Sequence, residues 1–287
     1  MGNPSPSTTT CRMPTVYLPH GGGPCFFMDP PAHAPHAWDR MAAFLRDLPA
    51  IVGTRPRALL IVSAHWEAPV PTVNSGAHPG MLYDYHGFPE HTYRLSWPAP
   101  GAPELAARVR SLLTGAGIES AEDTVRGYDH GVFVPMLVAW PEADVPTLQL
   151  SLQSGLDPAA HLAIGRALAP LRDEGVLILG SGMSYHDLRG FFRADPTDAL
   201  AADAFDAALA RAMTASPPDR DRALATWESL PGARRCHPRE EHLLPLMVAA
   251  GAAGADRGRH VFHDRVFGKA ISGFVFGGAA DQPAAAC

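Results

Sequence analysis

Short apolar runs alternate along this chain with stretches in which apolar residues recur every third or fourth position. Runs of the first kind read as buried strands and stretches of the second kind as amphipathic helices. The strand pattern falls at 15–18 (TVYL), 58–67 (ALLIVSAHWE), 70–73, 147–151, 176–180 (VLILG), 259–263 and 271–276, the last two spaced as a hairpin. The helical pattern falls at 35–48, where Ala37, Met41, Phe44, Leu45 and Leu48 share a face. It returns at 103–116, ended by Gly115 and Gly117, and at 132–140, 158–171, 199–215 and 219–228. A last helix is predicted from His237 through HPREEHLLPLMVAAGAA, with Pro238 in its first turn, Glu240 and Glu241 near its positive end, and Gly251 and Gly254 closing it. Strands alternating with helices predict one α/β domain over 14–278, with a central mostly parallel or mixed sheet flanked by helices. From their composition, 1–13 and 279–287 are expected to be disordered tails.

The strand ends carry the chemistry. His65 closes the apolar run at 58–67, His20 follows 15–18 and precedes Gly21, Gly22 and Gly23, and His186 lies a few residues past 176–180. Open α/β sheets bind ligands in the crevice outside the carboxyl ends of their strands. Any one of these histidines alone would be an ordinary loop or core residue about half the time. Three at corresponding positions predict a shared site at the strand C-terminal ends.

Composition narrows the class. The chain has 287 residues, 14 of them histidine, with 46% hydrophobic residues, 18% charged residues and a net charge of −6. No basic patch is present to track phosphates, so nucleic acid is not an expected partner. No run approaches the ~18 apolar residues of a membrane span. Cys11, Cys25, Cys236 and Cys287 show no CxxC spacing, the N-terminus has no apolar leader, and a reducing cytoplasm is the expected location.

Other positions add to the site. His130 (Asp129-His130-Gly131) and His186 (Tyr185-His186-Asp187) each adjoin an aspartate and suit proton transfer near neutral pH. His237 and His242 do not form HExxH, so one is expected at a metal while the other caps or contacts substrate. Glu241 is either an oxygen ligand or a first-turn charge against the helix dipole, the latter the plainer reading. The aromatic stretch at 83–101 reads as a functional rim, where Tyr83, Tyr85, Phe88 and Trp97 can stack on a ring and Arg126 or Arg189 can meet a carboxylate. Several histidines with a carboxylate suit Fe(II) or Zn(II), and ligand type alone does not separate them.

The segments PHGGGP, SAHWE, YDYHGFPEHTY, RGYDHGVFVPM, ILGSGMSYHDLR and HPREEHLLPL, in that order, resemble the LigB-type extradiol aromatic ring-opening dioxygenases, closest to their 4,5-DOPA dioxygenase branch. The resemblance implies a single α/β domain with a non-haem metal held by His20, His65 and His242. His186 is then an acid/base or a fourth ligand, and His130 a second catalytic, substrate-contacting histidine. The wider superfamily often uses two histidines and a glutamate, which keeps Glu241 open as a ligand. The implied reaction opens a catechol-type, DOPA-like substrate with dioxygen to a semialdehyde. Fe(II) is expected for activity, because Zn(II) has no redox couple. Two other readings are a zinc hydrolase and a non-catalytic metal- or peptide-binding relative of the fold.

Overall fold

In a computed structural model, described over residues 12–193 and 195–278, the apolar runs assemble into one eight-stranded mixed sheet. Its strands are β1 (Thr15–Pro19), β2 (Ala58–Ala68), β3 (Thr72–Asn74), β4 (Ala121–Asp123), β5 (Thr147–Gln153), β6 (Val176–Gly182), β7 (Gly258–Val266) and β8 (Lys269–Phe276). The spatial order is β4-β3-β5-β2-β6-β1-β8-β7. The centre, β5-β2-β6-β1, is parallel, whereas β3 and β8 join it antiparallel. A parallel sheet accounts for the unbroken apolar character of the central runs, since both faces are covered. Every residue of β1 and β6 is buried. The β7–β8 hairpin closes on Phe267 and Gly268, with φ of 48° and 78°. Two consecutive positive φ angles give the twist a two-residue hairpin needs.

The helices are α1 (Asp39–Val52), α2 (Pro103–Gly115), α3 (His130–Ala139), α4 (Pro158–Leu168), α5 (Leu188–Phe192), α6 (Pro196–Thr214), α7 (Pro217–Ala225), α8 (Ala233–Cys236) and α9 (Leu244–Ala253). Two of them bracket the sheet at β6. The Gly180 and Gly182 backbones lie against Pro245 and the His242 carbonyl, while Ser181 between them donates to the Gly131 carbonyl. Successive strand residues point to opposite faces, so α9 and α3 sit on opposite sides of the same strand. Both approach closely because glycines at 180, 182 and 131 carry no Cβ.

Several boundaries differ from the pattern. The first helix starts at Asp39 and runs through Pro49 to a left-handed Gly53 (φ 78°), four residues past the predicted end. β4, α5 and α8 are too short to leave a periodicity. The predicted tail up to residue 13 ends sooner: Met13 is buried, its N–H donates to the Arg172 carbonyl, and its own carbonyl accepts from Arg172 Nε at 2.6 Å. Residues 1–11 and 279–287 lie outside the described residues. Among the described residues, no helix is long and apolar enough to cross a membrane.

The largest correction concerns the segment from His237. No helix begins there; α9 starts at Leu244. The His242 carbonyl accepts from Met183 N–H (3.1 Å) and Tyr17 O–H (2.8 Å), tying the segment to β6 and β1 instead of starting a helix. His237 turns into the core between Phe205 and Trp227, and its Nε2–H donates to the Ser184 carbonyl at 3.0 Å.

Burial lowers the His237 pKa to about 3, whereas an unfolded histidine titrates near 6.5. The unfolded chain therefore binds the extra proton first. His237 costs nothing above about pH 6.5, and the cost grows as pH falls toward 3. His237→Gln is expected to flatten the pH dependence of denaturant unfolding between pH 6 and 4 by up to about 1.4 kcal/mol per unit. An unchanged slope would place the acid sensitivity in other groups.

Candidate metal centre

Five histidines from five segments meet above the C-terminal ends of the parallel strands. His20 follows β1, and its N–H donates to the Gly182 carbonyl of β6 (3.1 Å). His65 lies within β2, inside a pairing irregularity between Val62 and Glu67 that breaks the register with β5. His130 is the first residue of α3. His186 sits in the loop after β6, its N–H on the Cys236 carbonyl (2.8 Å), and His242 in the turn before α9. The ring centroids of His20, His65 and His242 lie 4.9, 5.2 and 4.8 Å apart. His130 stands 3.8 Å from His65, and His186 stacks on His242 at 3.3 Å with 17° between planes.

Two carboxylates set the tautomers. Asp84 Oδ1 accepts from His130 Nδ1 (2.7 Å) and from the His130 backbone N–H (3.0 Å), and Oδ2 stands 3.7 Å from His65 Nδ1. Glu241 Oε1 accepts from His242 Nδ1 (2.9 Å) and lies 3.0 Å from His186 Nδ1. Burial by itself would raise both carboxyls, but the hydrogen bonds from His130 to Asp84 and from His186 to Glu241 outweigh it, and both are held below the usual range. Ionised acceptors keep the proton on Nδ1 of His130, His186 and His242 and turn each Nε2 inward. A carboxylate behind a histidine is the usual orienting partner of a metal-binding imidazole.

The donor set fits a divalent cation. Burial, reinforced by neighbouring imidazoles, pushes the pKa values of His20, His65 and His242 well below the ordinary histidine value, so all three present neutral imidazoles. Neither ring nitrogen of His20, which is 1% exposed, has a hydrogen-bond partner. His65 Nε2 and His242 Nε2 face each other at 3.3 Å. One nitrogen from each of the three lies within 4.8 Å of the others. Buried polar atoms are ordinarily paired, and a cation shared by three lone pairs would satisfy this set. Imidazole suits Fe(II) and Zn(II) alike.

The aspartates next to the histidines in sequence turn elsewhere. Asp129 is fully buried and accepts from Ser63 Oγ (2.7 Å), Gln149 Nε2 and Arg126 Nη2 (3.3 Å). Asp187 caps α5 by accepting from the Arg189 N–H (3.1 Å). Asp84 is the residue that sequence reasoning missed; an acid between Tyr83 and Tyr85 in an aromatic stretch was the available signal. Glu241 also changes role: no helix surrounds it, and it holds two histidines instead of opposing a dipole.

A cavity of about 460 Å³ opens over the cluster, with Tyr85 and Phe88 in its wall. Tyr83 does not reach it: its ring packs on Tyr85 and Phe133, and its hydroxyl donates to the Leu95 carbonyl (2.7 Å). Trp97 is core, fully buried, with Nε1 on the Trp140 carbonyl. Arg126 lies over Trp66, 4.5 Å from its centroid, and Arg189 is exposed; neither lines the cavity.

A mixed α/β sheet thus carries, at its strand ends, a carboxylate-oriented histidine cluster that could hold a metal ion. Over residues 14–275 the chain matches the family described as the catalytic LigB subunit of aromatic ring-opening dioxygenase, and it belongs to that family. Its relatives include 4,5-DOPA dioxygenase extradiol of Beta vulgaris, 43% identical over 75% of this chain and 80% of the relative. Another is dioxygenase tasH of Hapsidospora irregularis, 36% identical over 95% of this chain and 88% of the relative. The 4,5-DOPA dioxygenase extradiol of Escherichia coli K12 is 31% identical over 85% and 86%. The crystal structure of an uncharacterized protein from Escherichia coli K12 superposes with a TM-score of 0.73 at 29% identity, covering 93% of this chain and all of the other.

Proposed function

We propose that this chain is an extradiol dioxygenase that opens the ring of a catechol-type substrate with dioxygen, using Fe(II) held by His20, His65 and His242. The observation that carries the reading is the convergence of three neutral imidazoles, one with both nitrogens unpartnered, at the floor of a cavity wide enough for an aromatic ring. Fe(II) held there by His20, His65 and His242 would supply Lewis acidity toward the diol and a redox couple for dioxygen chemistry.

The protein supplies position and protons. A catechol gives up a proton as it binds, and His130 and His186 flank the three ligands with Nδ1 fixed on Asp84 and Glu241. Either can therefore take that proton on Nε2, and the carboxylate behind it stabilises the resulting imidazolium. The same histidines return protons as the ring opens. Tyr85 and Phe88 stand edge to face at 5.4 Å and bound the ring's space. Relatives named 4,5-DOPA dioxygenase extradiol support a catechol as the substrate class, and the net reaction would place both atoms of dioxygen in a semialdehyde.

Anaerobic loading with Fe(II), followed by catechol and air, tests this reading. A yellow semialdehyde forming with one dioxygen consumed per ring is the expected result. Full iron occupancy without oxygen uptake would overturn it, and ester or amide hydrolysis without oxygen would move the assignment to a hydrolase.

A further inference from the structure

The cavity has two ends of opposite character. Its floor is the histidine cluster. Its outer wall is apolar, made by Trp38, Met183, Leu188, Phe191, Phe192 and Phe267. Among the residues lining it, Asp29, exposed at the rim, is the only aspartate or glutamate, and no lysine or arginine takes part.

Of the arginines around that wall, Arg189 on α5 is exposed and does not line the cavity, and two others are engaged outside it. Arg193 and Arg265 line a separate surface depression on the outer side of Phe191, Phe192 and Phe267. Arg193 Nε donates to Asp198 at 2.8 Å, and Arg265 pairs with Asp203 at 2.6 Å. A carboxylate carried into the cavity by a substrate would lose water against phenylalanine rings, meet no cation, and approach the like charge of Asp29. Burying such a group unpaired is costly. At the mouth, Leu188 is 63% and Phe192 75% exposed, large apolar side chains left in water beside a binding cleft. Exposed apolar surface of this kind marks a place where apolar ligand is covered.

We infer that this cavity takes catechols bearing a neutral, apolar alkyl or aryl substituent, and that it discriminates against catecholic acids and amino acids. The diol end of this assignment rests on the ring-opening reading above; the apolar end rests on the wall itself. The substituent runs outward from the histidine floor along Met183 and Trp38 toward Leu188 and Phe192.

The test is calorimetric titration of the Fe(II)-loaded protein without oxygen, where nothing turns over. Catechol, 4-methylcatechol, 4-n-butylcatechol and L-3,4-dihydroxyphenylalanine are compared. Each methylene is expected to tighten binding about fourfold, so the butyl compound should bind at least about fiftyfold tighter than catechol, with the amino acid weaker than catechol. Phe192→Arg, a substitution at an exposed site, should flatten the chain-length series and strengthen amino-acid binding about tenfold. A flat series in the unaltered protein, or an amino acid bound as tightly as butylcatechol, overturns the inference. So does a series left equally steep in both Phe192→Arg and Leu188→Arg. Aerobic assays separate the two readings. Opening of plain catechol with a flat binding series sinks the specificity alone. A steep series with no ring opened by any catechol sinks the reaction and leaves the apolar ligand class supported.

Discussion

His65→Ala is expected to leave the protein folded but unable to retain metal: below about a tenth of the unaltered content after dialysis, with ring-opening activity down at least about a thousandfold. Loss of an outer-shell partner alone costs a metal site about 10–100-fold in affinity, and removing one of three protein ligands costs more. His65 is the informative member of the set. It sits on β2 between Ser63, paired with β6, and Glu67, paired with β5, and its backbone is held without help from the side chain, the N–H donating to Ser63 Oγ (3.2 Å) and the carbonyl accepting from Arg126 Nη2 (3.4 Å). Its ring is partly exposed to the cavity, so truncation enlarges an existing space instead of opening a hole in the core. Metal analysis by mass spectrometry, with a melting curve to confirm the fold, reads the result. Full occupancy in the variant would remove His65 from the ligand set and shift attention to His186 and Glu241.

His186→Ala should behave in the opposite way, retaining metal at close to one per chain while kcat falls by about 10²–10⁴, the range a positioned acid/base contributes. The reason is its placement. The His186 ring is stacked against His242 with its Nδ1 on the same Glu241 oxygen that orients His242. His186 thus shares a carboxylate with His242 and lies outside the triangle of His20, His65 and His242. Truncating it leaves Glu241 bonded to His242, so the ligand geometry survives, while a proton acceptor beside the substrate is lost. Metal content and kcat measured on one preparation decide the matter. Joint loss of metal and activity would make His186 a fourth ligand.

Much of this architecture is written locally. Central strands buried on both faces must be continuously apolar, so 58–67, 147–151 and 176–180 were readable from hydropathy alone. The last hairpin was readable from two short strand runs in close succession, although only β8 is buried throughout and β7, at the sheet edge, alternates. The antiparallel edges were not, because strand direction depends on which neighbour a segment meets. The start of α9 was misplaced because HPREEH satisfies every local rule for a helix beginning, and only the claim of Met183 and Tyr17 on the His242 carbonyl overrides it.

The site divides along the same line. Histidines at strand ends are a sequence fact, since topology brings the carboxyl ends of parallel strands to one edge. That placed His20, His65 and His186 together before any coordinates, and the order of the motifs added His130 and His242. Which acid serves which histidine was beyond the sequence: Asp129 and Asp187 are adjacent along the chain yet face away, while Asp84, 46 residues from His130, provides its hydrogen bond. The contact between Glu241 and two imidazoles, the exclusion of Tyr83, Arg126 and Arg189 from the cavity, and the apolar outer wall are likewise tertiary facts. Hydropathy and spacing act along the backbone and specify which residues are buried and in what element; hydrogen-bond partners and cavity walls are set by side chains from distant segments, whose meeting no local pattern encodes.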